Sequence, residues 1–227
     1  GRFVAERYIS MFKNWHFVSA PVRETPTEMS IFHSWQESGI LPGAANGYGT
    51  RVTGLGANPA VNGLDAITTI PSMKYQASSG DANYTPVLNT RTMAVNNKKG
   101  FFLYIRGDRS VAPGTAVPGN VTTLRAKGKL FVGNGGADQP PPVTGAAGNW
   151  ISVGNPFASA IDFTMLRSGA TNINNEFKVW DPSLAGVYGL GGYQTVSGVT
   201  GFIATPGSST LYSSGIDYRA IQSGQAF

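Results

Sequence analysis

The sequence predicts an all-β fold: an antiparallel β-sandwich, jelly-roll-like, built from two related units that each carry one short helix. Three observations carry this expectation. Charged residues make up only 13% of the 227-residue chain, against a usual share of about 25%, while 30 glycines and 14 prolines punctuate it. That is a composition of strands and turns, poor in helix formers. Apolar residues recur in short runs bounded by turn residues, the pattern of strands. Finally, the chain repeats itself: NWISVGNPFASAIDF, residues 149–163, has a degraded copy of its front half in NWHFVSAPV, residues 14–22. Trp15 aligns with Trp150, Val18 with Val153, Ser19 with Gly154 and Pro21 with Pro156.

Residues 3–9, FVAERYI, alternate as a half-buried strand with Val4, Glu6 and Tyr8 on one side. Residues 11–14 read as a turn and 15–20 as a second strand, stopped by Pro21, which has no N–H to give to a ladder. Over residues 27–39 the period changes. Ile31 and Trp35 lie four apart and Thr27 can cap a first turn, which predicts a short helix over 28–37, ended near Gly39. Residues 40–72 are glycine-rich and read as a long irregular excursion with one strand at 50–53; long loops often carry function. Strands are expected at 73–77 and 92–95. GFFLYIR, residues 100–106, is apolar on both faces, which places this strand centrally in its sheet. A long strand over 121–132 closes the first unit.

Residues 133–148, GNGGADQPPPVTGAAG, read as a linker, so that the units span 1–132 and 149–227. In the second unit a motif strand at 150–153 precedes a turn at Asn155 and Pro156. Ser159 and Asp162 have capping-box-like spacing for a helix over 160–166. Gly154 and Asn155 tolerate positive φ, which marks them as a special backbone turn. FKVW at 177–180 parallels MKY at 73–75, and SGQAF at 223–227 parallels KKGFF at 98–102. On that alignment the chain stops within a strand phrase, which raises the expectation of an open edge that pairs with neighbouring protomers, as in a strand-exchanging fibre.

The absence of cysteine removes thiolate catalysis, zinc–thiolate sites, iron–sulfur clusters and disulfides together. The two histidines, His16 and His33, stand beside no nucleophile-elbow pattern, and no spacing pairs two carboxylates as a glycosidase requires. No catalytic residue is assigned. Surface β-modules often hold structural Ca2+, but no acidic loop of the D-x-D-x-D-G kind is present, and Asp162, Asp181 and Asp217 stand alone; no metal ligand or other cofactor is assigned. No apolar run approaches the ~20 residues of a membrane span.

Two residue sets are candidates for binding. Net charge is +5, and Arg125, Lys127 and Lys129 alternate along one strand face. They form either an ordinary solvated face or a surface for an anionic polymer, polysaccharide rather than nucleic acid, because no aromatic rings interleave with them. Trp180, Tyr188 and Tyr193 fall in the glycine-rich stretch WDPSLAGVYGLGGY and either stack on sugars or cover the core of a strand. By the same burial argument Trp15, Trp35 and Trp150 belong to the core. The tripeptide Arg106, Gly107, Asp108 reads as a turn at a strand end.

The phrases at residues 150–163, 179–182 (VWDP) and 224–227 (GQAF), together with ERYI at 6–9, GYGTRVTG at 47–54 and FLYIRGDRS at 102–110, carry a resemblance. The chain resembles β-rich modules of large secreted and surface-attached proteins of Bacteroidota, the cargo of type IX secretion. The resemblance implies an extracellular, cell-surface setting and a non-enzymatic structural or adhesive role within a larger protein, with the rest of that protein or neighbouring protomers as partners. A carbohydrate-binding module acting through loop aromatics is the alternative.

Overall fold

The computed structural model describes residues 1–10, 13–25, 27–39, 48–56, 58–80, 84–96, 98–111, 119–133, 139–184, 190–205 and 217–227. The chain is all-β. Strands dominate, all ladders are antiparallel, and one α-helix occurs among the described residues.

The first half is built on a four-stranded sheet. β2 (Asn14–Val18) pairs with β5 (Phe101–Ile105), which pairs with β3 (Met73–Tyr75), which pairs with β4 (Thr85–Pro86). β5 is central, as its two-sided apolar sequence requires. One face points Val18, Phe101, Leu103, Ile105 and Met73 into a core completed by Met29, Ile31, Trp35, Val52 and Leu64. Among the described residues β1 (Phe3–Ile9) pairs with β6 (Thr122–Gly128) alone.

The second half has its own core of Phe163, Phe177, Val179, Val196, Ala204 and Ile221. It lies between two sets of strands. β8 (Glu176–Asp181), β9 (Gly192–Ser197) and β10 (Ile203–Thr205) form a meander, while β7 (Ile161–Asp162) pairs with β11 (Ala220–Ile221). The helix α1 (Phe163–Ser168) follows β7 directly, with the Asp162 carboxylate accepting from Thr164 N at 2.7 Å as its N-cap.

Several elements differ from expectation. Residues 28–36 form turns rather than a helix, ending in a single 3-10 turn (Glu37–Gly39), because amides early in the segment bond outward: Ile31 N donates to Met93 O and Phe32 N to Thr90 O, while Ser30 bridges Ala94. That bridge is also all that forms of the strand expected at 92–95. The second helix starts at Phe163 and is capped by Asp162 rather than Ser159, since residues 161–162 are taken by β11. Residues 50–53 form no ladder. Their amides go instead to Trp35 O, the Asp65 carboxylate and Ser72 Oγ, so the excursion is sewn down by side chains. Trp150 is 51% exposed rather than core: its carbonyl accepts from Gly80 N at 2.8 Å, but residues 150–153 form no strand, and the indole lies at the surface under Lys178.

Candidate functional site

The two motif copies meet. In the first, Phe17 and Val18 pair with Phe102 and Phe101. In the second, Val153 exchanges both backbone bonds with Phe227 at 2.9 Å, and Gly154 bridges Ala226. The two pairs then join: Ser19 N donates to Gly224 O at 2.8 Å, Val18 bridges Gln225, and Gly154 N donates to Lys98 O at 2.9 Å. A Cβ on Gly154 would overlap Ser19 Oγ and Cβ, so the aligned positions Ser19 and Gly154 touch. Neither Gly154 nor Asn155 adopts positive φ. Asn155 is fully buried and acts through its side chain: Nδ2 donates to Ser159 O, Ile221 O and Gln222 O at 2.8, 3.0 and 3.1 Å, and Oδ1 accepts from Phe157 N at 2.9 Å.

Beside this seam the outer face of the four-stranded sheet carries a band of rings. Strand alternation puts Trp15, Phe17, Phe102, Tyr104 and Lys74 on that face. Trp180 reaches over from β8, with its centroid 4.9 Å from Phe102 and Nε1 donating to Trp15 O at 2.8 Å. Tyr193 stands 5.0 Å from Trp180, and its hydroxyl lies 3.1 Å from that of Tyr84, which packs edge-on against Phe17 and Phe102. Most of these contacts set a ring edge against a ring face, while Phe17 and Phe102 stack with centroids 4.3 Å apart. Burial of the phenol, reinforced by Tyr84, pushes the Tyr193 pKa above the ordinary tyrosine value.

Cations lie over the band. Lys74 Nζ is 5.4 Å from the Trp15 centroid, the Arg106 guanidinium 4.7 Å from that of Tyr104, and Lys178 Nζ 4.4 Å from that of Trp150. None of the three forms an ion pair among the described residues. Arg106 Nη1 is buried with no hydrogen-bond partner among the described residues. Burial draws the Arg106 pKa below its ordinary value, with Tyr104 opposing.

Of the residues singled out in the sequence, Trp180 and Tyr193 come together in this band, Trp180 as a half-buried strut and Tyr193 as a 39%-exposed rim. Tyr188 lies outside the described residues. Arg125 and Lys127 share the outer face of β6, and Lys129 is exposed just beyond it. Arg125 is neutralised, with bonds of 2.9 and 2.8 Å to Glu37, and lies over Tyr48; the bond to Glu37 raises its pKa. Asp108 is buried and accepts from Ser110 N at 2.8 Å, closing the turn after Arg106. His33 Nδ1 bonds Ser38 Oγ, and His16 lines a cleft of about 290 Å3 between β1 and Trp180. A second cleft of about 310 Å3 opens on the other side of Arg7. Both are at the lower end of small-molecule sites, which begin near 300 Å3. Among the described residues no three His, Asp or Glu side chains gather as metal ligands, and no helix is long and apolar enough to cross a membrane.

Sequence reasoning missed Lys74, Tyr84, Tyr104 and Lys178. Period-two alternation in MKY and FFLYI was the available signal for the first and third, but the sheet order that joins them is not written locally. Compared with known proteins, the chain matches no family model, no curated protein and no solved structure.

Proposed function

We propose that this chain is a non-enzymatic structural or adhesive module of a larger bacterial surface protein, working outside the cell. The observation that carries the reading is the seam: two cores, 17–19 pairing with 224–226, and the Phe102–Trp180 contact tying them together. Its most conspicuous aromatic residues hold the two halves in one geometry, as a spacer or a binding platform requires. The resemblance of its motif phrases to type IX secretion cargo of Bacteroidota supports the setting. Antibodies raised against the folded chain are expected to label intact source cells. Labelling that appears only after permeabilisation overturns the reading.

Carbohydrate binding is the second reading, favoured by the half-exposed rings and cations of the sheet face. Trp180 serves it indirectly, by fixing Trp15 through the 2.8 Å bond to its carbonyl.

A further inference from the structure

We infer that the sheet face bearing Trp15, Tyr104, Lys74 and Arg106 binds carboxylate-bearing polysaccharide, with the two cations receiving uronate carboxylates and the apolar surface of the rings beside them packing against the sugar. The inference rests on the adhesive reading and names its ligand class. Four observations converge on it.

The cations are uncompensated. Two of the less exposed arginines are matched by acids, Arg109 by Asp65 at 2.6 Å and Arg125 by Glu37 at 2.8 Å. Lys74 and Arg106 have no such partner among the described residues, although the face that holds them is half-buried. Among the described residues Arg106 Nη1 also finds no acceptor, and a buried guanidinium donor lacking one is costly. A carboxylate supplies both the missing charge and the missing acceptor, in the fork geometry that arginine favours. The side chains are held in place by their rings, so little rotamer freedom remains to be lost on binding. Lys178 over the exposed Trp150 repeats the arrangement on the second half, which suits an extended polyanion over a single small ion.

Single-stranded nucleic acid is the competing polyanion. It binds by stacking bases on open ring faces. Here Lys74 and Arg106 already lie over Trp15 and Tyr104, and neighbouring rings meet those two edge-on. A base has to evict the cation; a carboxylate meets it.

The test titrates the whole chain with polygalacturonate at low salt, following tryptophan fluorescence and calorimetric heat. Fully methyl-esterified polygalacturonate, dextran and oligo-dT are the comparison ligands. Saturable binding of the free acid is expected, weakening as salt approaches about 1 M, where the screening length shrinks to about 3 Å. Arg106→Gln and Lys74→Gln are each expected to weaken it by about tenfold or more, the worth of one charge-assisted hydrogen bond. Arg167→Gln, which removes an exposed charge on α1, leaves it unchanged. Thermal melts confirm that each variant is folded, and the two polar substitutions on one face serve as independent checks. The inference is overturned by equal affinity for the methyl ester, by equal or tighter binding of oligo-dT, or by no binding of polygalacturonate. It is equally overturned if folded Arg106→Gln and Lys74→Gln bind as the parent does while Lys127→Gln does not, since that places the site on β6. Surface labelling of cells is independent of all these outcomes, so the adhesive reading stands or falls separately.

Discussion

Replacing Asn155 with alanine removes a side chain that is fully buried and bonded on every polar atom. Its two N–H groups are shared among three carbonyls and its oxygen holds Phe157 N. At about 1 kcal/mol net for each bond, and with the Ile221 carbonyl left buried, the loss comes to about 3–4 kcal/mol. For a chain of this size that lowers Tm by roughly 6–16 °C. Asn155→Asp is the sharper test. It keeps the acceptor for Phe157 N but turns a carboxylate oxygen toward three carbonyl oxygens, so at pH 7 it should cost more than alanine. Protonation restores one O–H donor, so the folded-state pKa of the introduced carboxyl is raised above the unfolded value of about 3.9. The stability of the protonated form is then fully present below that unfolded value and is lost as pH rises through the raised folded one. Urea denaturation followed by tryptophan fluorescence at pH 7 and near pH 4 measures both. An alanine cost below about 1 kcal/mol, or an aspartate variant as stable as the parent at pH 7, refutes the argument.

Asp65→Asn strips the counter-charge from Arg109, whose side chain is 6% exposed, and should cost about 3–5 kcal/mol; a chemical denaturation curve within about 1 kcal/mol of the parent contradicts it. Glu37→Gln, at the more open Arg125 pair, is expected to cost only about 0–1 kcal/mol in the same assay. The hydrogen bonds from Thr164, its hydroxyl first, hold the Asp162 pKa below its ordinary value, so its contribution is present above the unfolded pKa and lost as pH falls through the folded one. Asp162→Asn should therefore flatten the acid limb of a Tm-against-pH profile, and an unchanged limb refutes this. Gly154→Ala drives a methyl group into Ser19, costing about 1–3 kcal/mol. Ser19→Gly in the same chain should recover most of that, and a double-mutant cycle with no coupling contradicts the contact.

The all-β class and the centrality of GFFLYIR were legible because each rests on local composition and period. The seam was half legible: the repeat marked both segments but not that they would touch, since Ser19 and Gly154 are brought together only by tertiary pairing. The turns at 28–36 defeated a helical period of Ile31 and Trp35 because both side chains are buried wherever their amides bond, and amides early in the segment found residues 90 and 93. The Asp65–Arg109 pair, which ties the 50–65 excursion to the end of β5, left no trace in spacing. Trp180 was read as a core residue from the burial of large aromatics, whereas alternation turns Phe177 and Val179 inward and Trp180 outward. What the outward side met was not readable, because Phe102 and Tyr84 come from the other half.

The divergence between the motif copies follows from how each proline stop is anchored. After Pro21 the chain runs beside β6, and Arg23 exchanges both backbone bonds with Lys129 at 2.8 Å. That bridge holds the exit, so the position aligned with Asn155 can be Ala20, a small buried residue with no side-chain bond to make. After Pro156 no such bridge forms among the described residues until β7, five residues on, so residues 156–159 have backbone groups to satisfy without a strand partner. Asn155 does that work from one side chain, bonding Phe157 N and Ser159 O while reaching Ile221 O and Gln222 O across the turn. Introducing Ala20→Asn should therefore stabilise nothing, while Asn155→Ala is costly, although the two positions align. The motif is one backbone path closed by two different chemistries, and the second copy carries the polar hub because its neighbours lack a sheet edge to lean on.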